Sequence, residues 1–417
     1  MTDLKRAQTS EAIPAEIMQQ AMELSRTAEI LPEGPPALAQ KIQAARQAGR
    51  PLRVKLGIDP TSTDLHLGHA VVFRKLRQFQ DFGHQVVLII GGFTAQIGDP
   101  SGRNTTRPPL TPEQVAANAE TYINQMGLIL DVEKTEVVNN ADWLAKLDLT
   151  GLLKLASFVT ANQLLAKEAF GDRLDKQLPV GFHELFYPLL QAYDSVAVRA
   201  DVELGGTDQR FNILQGRELQ PSYGQDQQLA FLVPLLEGTD GVQKMSKSYG
   251  NYVGLKEPPD DMFGKCMRIP DGLIVKYLEL ATTFSGPQID EIKAALDAGG
   301  NPKDAKEALA RQVVEQYHGC AAAENALAQW RRVHSDRQLP ETMPLHVVSE
   351  TGQLFRIVLD ASLASSSSEA KRLVHEGAVR IDGEQVKDPN HRVAVPAGGG
   401  IVLQVGRRKF VRLVPPG

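Results

Sequence analysis

The chain has 417 residues, of which 42% are hydrophobic and 23% charged, and its formal net charge is −5. This is globular composition, long enough for two or three domains, and the charge does not announce a nucleic-acid binder. No apolar run approaches the roughly 18 residues needed to span a bilayer, "MTDLKRAQTSEAIP" lacks the apolar core of a signal peptide, and Cys266 and Cys320 stand too far apart for a disulfide framework or zinc knuckle, so the expected location is the cytoplasm.

In chain order, residues 1–50 read as a polar helical segment broken at "LPEGPPALAQ". In "RVKLGID", Val54, Leu56 and Ile58 alternate as in a strand. After the loop "DPTSTDLHLGH", Val72, Leu76 and Phe79 recur at helical spacing and Gly83 ends the helix. "QVVLIIGG" is a second, fully apolar strand. Strand, helix and strand in this order predict a doubly wound parallel sheet.

A polar loop, "DPSGRNTTRPPLTPEQV", leads into residues 112–178, which read as mainly helical. A strand is expected in "SVAVRADVEL", a glycine turn into a helix in "GGTDQRFNILQGREL", and another apolar strand in "LAFLVPLLEG". The expected fold is therefore α/β: a Rossmann-like catalytic domain over 51–255 with a helical insertion at about 111–180. An α-helical domain follows over 256–338, where Leu309, Val313 and Tyr317 fall at four-residue spacing. "LPETMP" at 339–344 reads as a linker.

The expected last domain, 350–417, is small and α+β. Ser366 and Glu369 predict a capping box, Gly377 a helix stop, Ala370, Leu373 and Val374 an inner face, and Asp382-Gly383 a hairpin turn. Residues 353–417 carry ten Lys/Arg against six Asp/Glu, +4, which leaves −9 on the rest of the chain. A basic module on an acidic body fits a polyanionic partner; a solvated basic surface is the alternative.

Three stretches carry candidate chemistry. "HLGH" at 66–69 opens a helix, where free amides and the dipole attract phosphate; a metal pair or a capping histidine is the plainer reading. "KMSKS" at 244–248 puts two ammonium groups on a glycine-bounded loop able to close over a polyphosphate; an exposed basic turn is the alternative. "YPLLQAYDS" at 187–195 aligns Tyr187, Gln191 and Asp194 on one helix face, a binding wall or a face that meets solvent. The chain has no GxxxxGK[ST], no GxGxxG and no HExxH, which argues against P-loop, nicotinamide-type and zincin chemistry.

"GIDPTSTDLHLGH", "IGDPSGR", "YPLLQAYDS", "GGTDQRFN" and "DGVQKMSKS" occur in this order. Together they resemble the class I aminoacyl-tRNA synthetases, and most closely the bacterial tyrosyl-tRNA synthetases, with a C-terminal segment similar to the S4 RNA-binding domain. The resemblance covers residues from about 50 to 417. It implies activation of L-tyrosine by ATP, with Mg2+ arriving on the nucleotide, followed by transfer to tRNA(Tyr), in a homodimer that engages neither DNA nor membrane. The relatives considered beside it are tryptophanyl-tRNA synthetase, a non-catalytic RNA-binding protein and a small-molecule nucleotidyltransferase. The Tyr187, Gln191 and Asp194 set, the intact His and Lys signatures and the basic tail argue against these.

The resemblance also assigns roles. His66, His69, Lys244, Lys247, Arg103 and Arg107 neutralise the departing pyrophosphate. Asp99, Tyr187 and Gln191 hold the α-ammonium group, Asp194 accepts the phenol hydrogen, and Gln209 meets the reacting carbonyl. Asp59, Pro60, Thr61, Gly68, Gly206, Asp208, Met245, Ser246 and Ser248 form the ATP site, and Lys371 and Arg372 face RNA. Lys55 departs from one branch of the family, which has a tyrosine there; it is placed to pair with Asp194, to donate to the phenol, or to point away.

Overall fold

The computed structural model describes residues 12–60, 64–101, 111–334, 343–348, 351–396, 399–406 and 409–416. Thr61, Arg103, Arg107 and the linker stretch 339–342 lie outside the described residues. The chain divides into two compact units, 1–320 and 321–417. Among the described residues no helix is long and apolar enough to cross a membrane.

The first unit is built on a six-stranded sheet. Its strands are β1 (Glu29–Leu31), β2 (Arg53–Ile58), β3 (Gln85–Ile90), β4 (Thr135–Asn139), β5 (Val202–Gly206) and β6 (Leu229–Val233). Their order is β1-β6-β5-β2-β3-β4, and only β1 runs antiparallel to its neighbour. From β2 the chain winds outward through β3 and β4, then returns to β2's other edge as β5 and β6. Neighbouring connections thus diverge between β2 and β5, and a crevice opens outside their carboxyl ends, where doubly wound sheets bind ligands.

Both faces of the sheet are covered, so its inner strands are largely apolar; Val86 to Ile90 of β3 are all buried. On one face, Phe79 of helix Leu67–Asp81 meets Phe231 edge to face at 5.4 Å. On the other, Val87 and Ile89 pack with Val198 and Ala200, and Ala230 and Leu232 pack against Ile213 of helix Arg210–Leu219. Helix Tyr187–Ala197 is the close neighbour of that helix. Lys55 stands on this second face, in register with Glu203 on β5.

Several boundaries differ from the sequence expectation. Residues 12–50 form two helices, Ala15–Ser25 and Pro35–Gln47, but also contribute β1. The break is shorter than expected, because Pro35 starts a helix, where a missing N–H costs nothing. The 112–178 stretch is not purely helical: it contains β4, an edge strand whose alternating partial exposure hides it among helices. In "SVAVRADVEL" the strand begins only at Val202, because Ser195 to Ala197 still belong to the preceding helix. Helices from Pro259 to His318 complete the unit, with Leu309 and Val313 buried.

The second unit holds all but the first residue of helix Cys320–His334 and ends in a five-stranded sheet. Val358, Ala370, Val374, Leu403 and Leu413 centre its core. Ser366 Oγ accepts from the Glu369 N–H at 3.2 Å, but the Glu369 carboxylate turns to Ser365, so only half of the expected capping box forms. Asp382 and Gly383 both have positive φ (45° and 87°), the geometry a two-residue hairpin turn requires.

Candidate active site

A cavity of about 250 Å³ opens at the carboxyl ends of β2, β3 and β5. Among the predicted residues, Asp59, His69, Asp99, Tyr187, Gln191, Asp194, Gly206 and Gln209 line it. The polar face of "YPLLQAYDS" therefore meets this cavity and not bulk solvent. Tyr187 and Asp194 are both buried.

Asp194 is held by two donors. Trp143 Nε1 donates to its Oδ1 at 2.8 Å, and Asn140 Nδ2 to its Oδ2 at 3.2 Å. Burial nonetheless pushes the Asp194 carboxyl up to about 7, against the opposing pull of Lys55 and of these donors. Asn140 also donates to Thr94 Oγ1 at 3.0 Å, Thr94 donates to Asp59 Oδ1 at 2.7 Å, and Tyr187 Oη donates to Asp59 Oδ2 at 2.9 Å. A continuous chain of hydrogen bonds thus runs from Asp194 to Tyr187 around the cavity wall. Burial and the neighbouring carboxylates hold the Tyr187 phenol well above its ordinary range.

A second network closes the opposite wall. Gln209 Nε2 donates to Asp99 Oδ2 at 2.7 Å, and Asn212 Nδ2 donates to the side-chain oxygens of Gln209 and Gln191, both at 3.0 Å. Lys167, buried, donates to Asn212 Oδ1 at 2.9 Å and lies 3.9 Å from Asp99. Gln191 Nε2 donates to Glu203 at 3.1 Å. Lys55 does not pair with Asp194. Its ammonium is taken up by Glu203 (2.9 Å), Ser195 Oγ (2.8 Å) and the Gln191 carbonyl (3.1 Å), because β2 and β5 place it directly across from Glu203.

The phosphate-binding candidates gather at the start of helix Leu67–Asp81. His66 is its N-cap residue, and the His66 backbone N–H donates to His69 Nδ1 at 3.3 Å. Their rings stack with centroids 3.9 Å apart. A capping role is therefore real, but it does not exhaust the pair. Burial first, then His69 and Lys247, depress His66; burial and Lys247 lower His69 to about 4. Both are neutral near pH 7. A neutral imidazole that accepts at Nδ1 carries its proton on Nε2, so His69 has its donor at Nε2. Gly68 leaves room for the His66 ring: a Cβ there would lie a tight 3.1 Å from it.

The "KMSKS" loop lies beside this turn. Strand-like contacts join 65–67 to 253–255, with Leu67 N–H to Val253 O at 2.9 Å. Met245 is buried against Gly68, and Ser246 Oγ accepts from the Ser248 N–H, so these three residues shape the loop from within. Asn251, buried, pins it through the Ser246 N–H (2.8 Å) and Asp240 (2.8 Å). Lys244 pairs with Asp208 at 3.0 Å and Lys247 with Asp64 at 2.9 Å. Pro60 is buried and its carbonyl accepts from Asn118.

In the second unit Lys371 and Arg372 are exposed on helix Ser367–His375. Lys371 sits 4.6 Å above the Phe355 ring and Arg372 pairs with Glu376. Sequence reasoning missed Asn140, Trp143, Glu203, Lys167, Asn212 and Asn251. None lies in a quoted motif except Asn212, in "GGTDQRFN", and their roles depend on contacts across the fold.

Comparison with known proteins follows this geometry. The family described as tRNA synthetases class I (W and Y) matches residues 47–335, and the S4 domain family matches 354–395. The tyrosine–tRNA ligase of Bordetella bronchiseptica is 50% identical over 376 residues, 90% of this chain and 91% of that one. That of Moorella thermoacetica is 49% identical over 401 residues, 95% and 96% of the two chains. Among solved structures, the tyrosyl-tRNA synthetase of Archaeoglobus fulgidus complexed with L-tyrosine superposes with a TM-score of 0.60 at 23% identity, over 75% of this chain and 99% of that one; at that identity it shows the shared fold.

The Asp194 environment has a consequence for stability. An aspartate unfolds to a pKa of about 3.9, whereas the folded carboxyl sits near 7. Between these values the folded chain holds a proton that the unfolded chain releases, so this group's contribution falls as pH rises through about 4 to 7, by the order of 4 kcal/mol. Thermal unfolding from pH 4 to pH 8 should therefore show the wild-type chain losing ground to D194N as the pH rises. Parallel profiles for the two would contradict it.

Proposed function

The chain belongs to the class I tRNA synthetases of the W and Y type and carries an S4 domain, and from that premise we propose that it is a tyrosine–tRNA ligase. The observation that carries the reading is Asp194, a buried carboxylate at the cavity wall with Trp143 and Asn140 already on its oxygens. A phenol O–H completes that group. A phenylalanine ring would leave it desolvated and short of a donor, at a cost of about 1–3 kcal/mol or more for a charged group.

At the other end of the substrate, Tyr187 Oη donates its hydrogen bond to Asp59 and so offers its oxygen to the α-ammonium group. Gln191 donates to Glu203 and accepts from Asn212, and the second lone pair of its side-chain oxygen remains for the ammonium group. Asp99 supplies the charge. The substrate carboxylate is ionised at pH 7, so activation needs no general base. It attacks the α-phosphorus of ATP, the bond to the β,γ-pyrophosphate breaks, and tyrosyl-adenylate forms. Catalysis is then positioning and charge neutralisation. Gln209 addresses the reacting carbonyl, and the His66–His69 turn the phosphates. Gly206 and Asp208 take the ribose; hydroxyl groups arriving at Asp208 release Lys244 toward the phosphates, and Lys247 follows from Asp64. Arg103, Arg107 and Thr61 complete the set by resemblance.

We take MgATP as the nucleotide substrate, with its ion carried on the phosphates. In the second step the tyrosyl group passes to the 3′ end of tRNA(Tyr) and AMP leaves. Lys371 and Arg372 contact RNA phosphate. The insertion exposes Leu149, Leu153, Phe158, Leu174 and Phe182, with Phe182 at 74% exposure. An apolar surface of this kind is an interaction site, and we assign it to a homodimer that works in the cytoplasm.

The test is charging of a tRNA(Tyr) transcript with each amino acid and ATP. Tyrosine alone should be transferred. K371E/R372E should raise the KM for tRNA with steeper salt sensitivity removed, while ATP–pyrophosphate exchange stays unchanged. Charging with tryptophan, or exchange falling as far as charging, would sink the reading. Sedimentation equilibrium should give twice the 45.5 kDa chain mass; a monomer would refute the dimer.

A further inference from the structure

Behind the cavity wall lies a charge pair that the reaction above does not use. Lys55 and Glu203 are 0% and 1% exposed. Burying two opposite charges gains little stability over a well-packed apolar pair, and often loses some. Their environment is built with care all the same. Glu203 Oε1 accepts from Lys55 and Gln191; Oε2 accepts from Ser195 Oγ (2.8 Å) and Gln228 Nε2 (2.5 Å). All four acceptor sites of the carboxylate are thereby filled. Gly216 makes room: a Cβ there would lie 2.8 Å from both Ser195 Oγ and Gln228 Nε2.

One member of this cluster, Gln191, lines the cavity. Lys55 holds the Gln191 carbonyl, and Glu203 holds the Gln191 amide, one helical turn before Asp194. The charged groups acting on Asp194 are Lys55 from β2, which favours its anion, and Glu203 from β5, which opposes it more weakly. Around it, Trp143 and Asn140 come from the segment after β4, Thr94 joins through Asn140, and Tyr187 lies on Asp194's own helix. Asn212, from the adjacent helix, reaches Gln191.

We propose that Lys55, held by Glu203, is a positioning residue for selection of the tyrosine hydroxyl: it fixes Gln191 and presents a cation to Asp194 from behind the pocket. It touches no substrate. The pair sets how the wall is aligned and charged, and so how sharply a phenol is preferred to a bare phenyl ring. The inference rests on the ligase reading.

The experiment is tyrosine- and phenylalanine-dependent ATP–pyrophosphate exchange across pH 6 to 9, for wild type, K55R, K55M/E203Q and G216A. The double variant removes both charges together, so neither is stranded in the interior. Its tyrosine KM should rise about tenfold at neutral pH, and the acidic limb of its profile should move up by about one unit, with kcat less affected and the preference over phenylalanine reduced. G216A should shift KM the same way from outside the pocket, and K55R, which keeps the charge but not the shape, should fall between wild type and the double variant. Unchanged KM, preference and pH limb in folded K55M/E203Q would overturn the inference alone. Wild type lacking tyrosine-dependent exchange would overturn the ligase reading and this inference with it.

Discussion

A carboxylate cannot be taken out of water unless something answers its charge, and Asp194 shows how much structure that demand organises. It is 3% exposed. Trp143 and Asn140 satisfy its oxygens from the insertion, and the Lys55 charge favours its anion from the sheet, yet its carboxyl still sits near 7. The residual imbalance is the useful part. A site that is nearly but incompletely satisfied gains most from a ligand bringing the missing hydrogen bond, and loses most from one that does not.

The sheet topology explains why these groups converge. Divergence of the chain between β2 and β5 opens the crevice, and the same two strands bring Lys55 and Glu203 into register one layer below it. The polar layer beneath the pocket and the pocket itself are thus consequences of one strand pairing. The other end of the site follows a different logic. There a helix N-terminus, two neutral imidazoles and two lysines parked on Asp208 and Asp64 form a surface whose cations are already balanced by exchangeable carboxylates. In the proposed reaction, phosphate takes the place of those carboxylates on the two lysines.

Much of this was legible in the sequence, for identifiable reasons. The three-and-four spacing of Tyr187, Gln191 and Asp194 survives folding because a helix repeats every 3.6 residues, and the apolar strands announce themselves by their length. "HLGH" and "KMSKS" were readable as separate motifs, and the strand-like pairing of 65–67 with 253–255 brings them together. What escaped reading lies in long-range pairing. Trp143 reaches Asp194 across 51 positions, and it follows β4, whose half-exposed edge pattern resembled its helical surroundings. Glu203 looked like an ordinary strand charge; only the β2–β5 register gives Lys55 its partner. Asn251 is one polar residue in a loop until the fold wraps that loop around it.

The central claim is that Asp194 selects the hydroxyl of the amino acid. Calorimetric binding of tyrosine and phenylalanine to wild type and to folded D194A, at pH 8 where the carboxyl is ionised, tests it most directly. Wild type should prefer tyrosine strongly, and D194A should lose that preference through loss of tyrosine affinity. Retention of the full preference by D194A would contradict it.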